Sequence, residues 1–278
     1  MDTFVDDDWL AQRLDDATIA IVDTRSAPQA IFYGGVGREH YVYGHIPRAV
    51  HLDYADQLQD PYTSYATRVA PPQRFMEEMA KAGISDDNTV IAYDDGEVPY
   101  AARLVWMLHY YGHDAAAILA GGLPAWLEAG HPRVNEIPSG PMKRFTPKPQ
   151  PQLRAELDEV LAVAEGRSDA QLLAAWPEVT YARREREIAG ARRLSFSQLF
   201  DETQYCRMVP LERLRQLTAN LDPQKRTITY CGNGVHSAAA YFALRAAGFT
   251  DVAVYDGSWA EWGHLNLPSV PRNEVHAA

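Results

Sequence analysis

The sequence predicts an α/β fold built as two tandem domains, each a small, mostly parallel sheet flanked by helices. Two observations predict it. The chain repeats itself once: Val90-Ile91-Ala92-Tyr93-Asp94, a helix-like run to Gly112, then Ala117-Ile118-Leu119 and Gly121 are matched by Thr227-Ile228-Thr229-Tyr230-Cys231, a helix-like run to Gly248, then Ala253-Val254-Tyr255 and Gly257. The gap from Asp94 to Cys231 exceeds that from Gly121 to Gly257 by one residue, so one deletion aligns the halves. Each half also reads strand, turn, helix, strand, and alternating units of that kind imply a parallel sheet covered by helices.

Taken in chain order, Ala20-Ile21-Val22-Asp23 is a short apolar run and reads as a buried strand, followed by the strand at 90–93. The run to Gly112 reads as a helix stopped by glycine, and 117–119 as the next strand. Prolines at 132, 138, 141, 147, 149 and 151 follow. Proline removes amide donors and favours extended chain, so this stretch reads as a linker. Ala170-Gln171-Leu172-Leu173-Ala174 then repeats the first strand, and the second half proceeds as the first. The domains are placed at residues 1–135 and 152–278, with the Pro-rich linker at 136–151.

Composition narrows the class. A hydrophobic fraction of 46% and a charged fraction of 23% are ordinary for a globular chain that can bury a sizeable core. The net charge of −11 argues against nucleic acid or an anionic membrane surface as the main partner. No apolar stretch approaches the roughly 18–20 residues of a membrane span. The acidic start Met1-Asp2-Thr3-Phe4-Val5-Asp6-Asp7-Asp8 lacks the basic and apolar regions of a secretory signal, so the expected location is cytoplasmic. There are two cysteines, Cys206 and Cys231, and no CxxC or HExxH, so neither a structural disulfide nor a metal site is expected.

The halves differ where chemistry would sit. One central strand ends in Asp94, the other in Cys231. The turn Gly232-Asn233-Gly234-Val235-His236-Ser237 then leads into a helical run. A sulfur there faces backbone N–H groups and the positive end of a helix dipole, which favours the reactive thiolate. An aspartate cannot serve as a thiol nucleophile, so the first domain supports and the second reacts. Asp94 is expected to satisfy local loop amides. His236 is either a base or anion partner behind the thiol or an exposed helix-start residue. Cys206 reads as a surface or packing residue, His45 as bonded within its turn, and Trp126, Trp259 and Trp262 as packing anchors.

These residues together resemble the two-domain rhodanese family, the thiosulfate and 3-mercaptopyruvate sulfurtransferases. Tyr41-Val42-Tyr43-Gly44-His45-Ile46-Pro47-Arg48-Ala49 is similar to the family's N-terminal signature, with Arg48 where glycine is usual. Tyr255-Asp256-Gly257-Ser258-Trp259-Ala260-Glu261-Trp262 is similar to its C-terminal signature throughout. The resemblance implies two rhodanese-like domains and Cys231 as a sulfur carrier. Its thiolate would take a sulfane sulfur from a small anionic donor, 3-mercaptopyruvate or thiosulfate, as a persulfide. A thiol, cyanide or a reduced protein thiol would then accept it. No cofactor is implied.

The amides of Gly232, Asn233, Gly234, Val235, His236 and Ser237 would cradle the persulfide. Cysteine phosphatases carry an arginine six positions after the cysteine, where this chain has Ser237, which argues against phosphatase chemistry. The family's second domain usually carries Asp-x-Arg after its first strand, as the first half does at Asp23-Thr24-Arg25; here Ala174-Ala175-Trp176 stands instead. The arginine usual four residues later is Thr180, and a histidine of the mercaptopyruvate group falls near Arg68. Arg183 and Arg184 are the expected donor-binding cations, with Arg192 and Arg193 as further candidates. A weakly active or inactive rhodanese-fold protein that binds sulfur species, or one that relays sulfur to a protein partner, stays open as the alternative.

Overall fold

A computed structural model of the chain describes residues 1–26, 36–63 and 68–278. They form two compact units. Unit 1 holds residues 1–61, 69–150 and 202–207; unit 2 holds 62–68, 151–201 and 208–278.

In unit 1 the elements are β1 (Phe4–Val5), α1 (Asp7–Ala11), β2 (Ile19–Asp23), α2 (Val36–Tyr43), β3 (Val50–His51), α3 (Pro72–Lys81), β4 (Thr89–Tyr93), α4 (Tyr100–Tyr110), β5 (Ala116–Leu119) and α5 (Gly122–Glu128). The sheet order is β1-β5-β4-β2-β3 and every pairing is parallel. β4 lies at the centre, and Val90 to Tyr93 are fully buried. A strand covered on both faces needs apolar residues at successive positions, which is why it reads as a continuous run rather than an alternation. Pro72 opens α3, where its missing N–H costs nothing. Gly112 follows α4 with φ 76°, a backbone that favours glycine.

Unit 2 contains β6 (Arg154–Ala155), α6 (Leu157–Ala164), β7 (Gln171–Ala174), α7 (Glu178–Tyr181), β8 (Arg186–Ile188), β9 (Ala191–Arg193) and α8 (Phe196–Leu199). The chain continues through short strands β10 (Phe200–Asp201) and β11 (Arg207–Met208), then α9 (Leu211–Leu217), β12 (Thr227–Tyr230), α10 (Val235–Ala247), β13 (Val252–Tyr255), α11 (Ser258–His264) and β14 (Ser269–Pro271). The parallel order β6-β13-β12-β7-β9 repeats that of unit 1, with β12 in the place of β4.

Matching anchors hold the two cores. Trp126 and Trp262 are fully buried, and each indole N–H donates to a carbonyl six residues on, Pro132 at 2.8 Å and Pro268 at 3.1 Å. That bond satisfies the one polar atom of a large apolar side chain.

The Pro-rich stretch is extended, as its composition requires, but it is tied down along unit 1. The amides of Lys143, Lys148 and Gln150 donate to the carbonyls of Ala80, Tyr111 and Tyr110 at 3.1, 2.8 and 2.7 Å, and Phe145 is buried between them. Arg48, where the family signature has glycine, adopts φ 67°. Its guanidinium donates to the carbonyls of Leu14, Asp16 (3.0 Å) and Ile19 (3.3 Å). Among the described residues no helix is long and apolar enough to cross a membrane.

Trp262→Ala is expected to cost about 3–5 kcal/mol in urea unfolding, because it empties a fully buried site. A loss below about 1 kcal/mol would show that the indole does not anchor this core.

Candidate active site

β12 delivers Cys231 to the end of the central strand of unit 2, where the residue is fully buried. Gly234 turns the chain at φ 83°, and α10 begins at Val235. This turn folds the loop back over the sulfur. The amides of Ser237 and Asn233 and the ring of His236 bond to it, and the Ser237 hydroxyl lies 3.6 Å away. Burial alone would raise the thiol's pKa. The bond and charge of His236, helped by the two amides, outweigh it and hold Cys231 down at about 6. His236 therefore stands behind the thiol, half-buried with its ring edge-on to Phe196 at 4.9 Å.

A second turn holds the cysteine from below. Ser258 has φ 50°; its hydroxyl donates to the carbonyl of Tyr255 at 2.8 Å and accepts from the amide of Cys231 at 3.3 Å. The amides of Trp259 and Ala260 donate to the carbonyls of Cys231 and Gly232 at 3.0 and 2.9 Å. Trp176 lies over Gly232 so closely that a Cβ there would come within 2.9 Å of the indole. Gly232, Asn233 and His236 are half-exposed, while Gly234, Val235 and Ser237 are buried.

The arginines divide. Arg183 is exposed just beyond α7. Arg184 is held between the rings of Trp176 and Trp259, at 3.8 and 4.2 Å, with its Nε on the buried carboxylate of Glu187 and its Nη2 on the carbonyl of Arg186 at 2.9 Å. Arg192 donates to the carbonyl of Asn220 at 3.1 Å, and Arg193 pairs with Glu178. Arg68 pairs with Glu261, a buried residue of α11 that also accepts from the Tyr255 hydroxyl at 2.8 Å.

In unit 1 the same frame carries a carboxyl. Asp94 Oδ1 and Oδ2 accept from the amides of Gly96 and Ala101 at 2.9 and 3.0 Å, as the sequence led us to expect. Burial, then the charge of Asp95, push its pKa up to about 7 against those two bonds. His45 is bonded within its turn, its Nδ1 2.8 Å from the carbonyl of Tyr41 and its Nε2 3.1 Å from that of Glu136. Cys206 faces the carbonyl of Glu97 at 3.6 Å; burial, then Asp94 and neighbouring carboxylates, push its thiol up to about 12. Among the described residues one group could hold a cation: His131 Nε2 lies 3.6 and 3.5 Å from the carboxylates of Asp7 and Asp8. Arg207, 3.6 Å from Asp7, already offsets part of that charge.

Sequence reasoning did not single out Ser258, Tyr230 or Glu187 for the site. The first two left a signal, one inside the C-terminal signature and one in the repeat, where a tyrosine precedes both Asp94 and Cys231. Glu187 left none.

A scan of family models matches the Rhodanese-like domain to residues 6–129 and again to 153–265. The 3-mercaptopyruvate sulfurtransferase of Escherichia coli K12 is 33% identical over 96% of this chain and 98% of that protein. The sulfur carrier protein TtuD of Thermus thermophilus is 28% identical over 97% of this chain and 96% of that protein. The crystal structure of SseA from Escherichia coli, described as a 3-mercaptopyruvate sulfurtransferase with the rhodanese fold, superposes with a TM-score of 0.83 at 28% identity, covering 93% of this chain and 99% of that one.

Two predictions come from these charges. The ultraviolet absorbance of the Cys231 thiolate, read as wild type minus Cys231→Ser, is expected to titrate with a midpoint of about 6. His236→Ala is expected to raise that midpoint by about one unit or more, since burial is then less opposed. An unmoved midpoint would rule out the histidine's part.

Asp94 acts on stability in the opposite sense. Its folded pKa is raised, so its contribution is complete below the unfolded value of 3.8 and is lost as pH rises through about 7. The stability advantage of wild type over Asp94→Asn should shrink across that window, and an advantage that grows with pH would contradict the assignment.

Proposed function

The chain belongs to the rhodanese family, whose domain it carries in two tandem copies, and is a sulfurtransferase; we propose that it moves a sulfane sulfur from 3-mercaptopyruvate or thiosulfate to a thiol or cyanide acceptor through a persulfide on Cys231. The observation that carries this reading is a buried thiol held near pKa 6 at the head of a helix. At neutral pH such a group is a thiolate, and it attacks the outer sulfur of the donor.

With thiosulfate, the sulfur–sulfur bond breaks and sulfite leaves with the bonding pair. With 3-mercaptopyruvate, the carbon–sulfur bond breaks, the pyruvate enolate leaves with the bonding pair, and the donor's thiol proton passes through solvent to the enolate carbon. The terminal sulfur of the persulfide carries the negative charge. The cradle from Gly232 to Ser237 supports it as it supports the thiolate. A thiolate or cyanide then attacks that sulfur and Cys231 returns as thiolate, so the two half-reactions predict ping-pong kinetics. Positive charge for the donor's anionic end comes from the turn after α7, where Arg183 is exposed and Arg184 is half-buried between Trp176 and Trp259.

Relay to a protein thiol is the second reading, and the similarity to the Thermus sulfur carrier protein favours it.

Intact mass after donor treatment tests both readings. Wild type is expected to gain one sulfur, ~32 Da, and Cys231→Ser none. No adduct with either donor would overturn the persulfide. An adduct that discharges to a protein thiol, but not to cyanide or small thiols, would select the relay.

A further inference from the structure

Unit 1 contains a buried lock at the end of its central strand. The carboxylate of Asp23 binds Arg25 through Nε at 3.0 Å and Nη2 at 2.7 Å, and accepts the hydroxyl of Tyr93, the residue before Asp94, at 2.7 Å. Arg25 Nη2 also donates to the carbonyl of Gly44 at 2.7 Å, and the amide of Ile46 donates to the Tyr93 hydroxyl at 3.1 Å. Acid, arginine and tyrosine thus fasten the strand end to the facing turn.

The matching positions of unit 2 hold neither charge. The amides of Thr24 and Ala175 make the same bond to the strand end, with the carbonyls of Tyr93 and Tyr230. That register aligns Asp23 with Ala174 and Arg25 with Trp176. The strand pairs Asp23 with His51 and Ala174 with Arg193, and this aligns the turn 44–48 with 186–190. A positive φ at both Arg48 (67°) and Gly190 (76°) agrees with the alignment.

The contacts nevertheless recur. Tyr230 donates its hydroxyl to Glu187 at 2.5 Å and receives the amide of Ile188, the counterpart of Ile46. Glu187 pairs with Arg184, and Arg184 Nη2 reaches the carbonyl of Arg186, the counterpart of Gly44. The acid has crossed from the strand to the turn, into the position of His45. Trp176, released from the charge pair, donates its indole N–H to the same carboxylate at 3.2 Å while its ring covers Gly232.

We propose that the Glu187–Arg184 pair is this lock transferred from strand to turn, and that Glu187 is a positioning residue for the Cys231 thiol. One fully buried carboxylate holds the strand end through Tyr230 and the covering indole through Trp176. Both arms bear on residues adjoining Cys231, so the direction of the sulfur within its cradle depends on a side chain that does not touch it. The inference rests on the sulfur-transfer reading only for its effect on turnover.

The test is the thiolate titration of Glu187→Gln. Removing a buried negative charge would by itself lower the midpoint of a neighbouring thiol. Loosening the cradle would raise it. A rise of about one unit or more is expected, and a fall or no change in the folded variant overturns the proposal. Adding Ala174→Asp alone, which returns a carboxylate to the strand while Trp176 stays over Gly232, is expected to bring the midpoint back down although the added negative charge by itself would raise it; failure to do so in a folded protein overturns the transfer. Should Glu187→Gln not fold, Tyr230→Phe removes one arm alone and is expected to raise the midpoint, an unchanged value overturning the proposal. Turnover of wild type with each donor is read separately, so a failed persulfide leaves the titration decisive.

Discussion

The bonds that converge on the Cys231 sulfur are the interaction around which unit 2 is arranged. A thiolate removed from water is stable only where donors replace the solvent. Two amides and the imidazole of His236 do so here, with the hydroxyl of Ser237 3.6 Å from the sulfur. Asn233 lies in the turn between β12 and α10 and the others in the first turn of α10, and the chain folds back over the sulfur because Gly234 takes a left-handed backbone. Strand, glycine turn and helix start are thus a single device for holding a charged sulfur out of water.

The same frame with a carboxyl shows how little of that device is specific to sulfur. Asp94 receives two amides in the corresponding position, yet burial and Asp95 raise its pKa to about 7. The backbone donors are comparable in the two units. The differences are the imidazole beside Cys231 and the charge of Asp95 beside Asp94. Cys206 makes the contrast from the other side, since a thiol among carboxylates is pushed up to about 12. Reactivity follows the surroundings of a thiol rather than the presence of one.

Between the two units residues change while the contacts they make recur. Arg48 takes in unit 1 the left-handed backbone that Gly190 takes in unit 2, and its guanidinium donates to the carbonyl of Asp16. Glu187, paired with Arg184, accepts the hydroxyl of Tyr230 as Asp23, paired with Arg25, accepts that of Tyr93. In both cases a backbone or charge requirement persists and a different residue meets it. Where unit 1 has Arg25, unit 2 has Trp176, which puts an indole against Gly232.

The sequence by itself determined the repeat, the parallel sheets, the contrast between Asp94 and Cys231, and the thiol at a helix start. These are local or periodic features: buried strands read as apolar runs, and glycine turns mark where they end. It left His236 between two roles, because the direction of a side chain at a helix start depends on what packs there, here Phe196. It did not reveal Glu187, whose three partners lie 3, 11 and 43 residues away along the chain. It offered Arg183 and Arg184 as equals; the structure exposes one and holds the other between two indoles. Only tertiary structure decides such matters, since burial and charge pairing belong to what the folded chain brings together, not to the order of its residues.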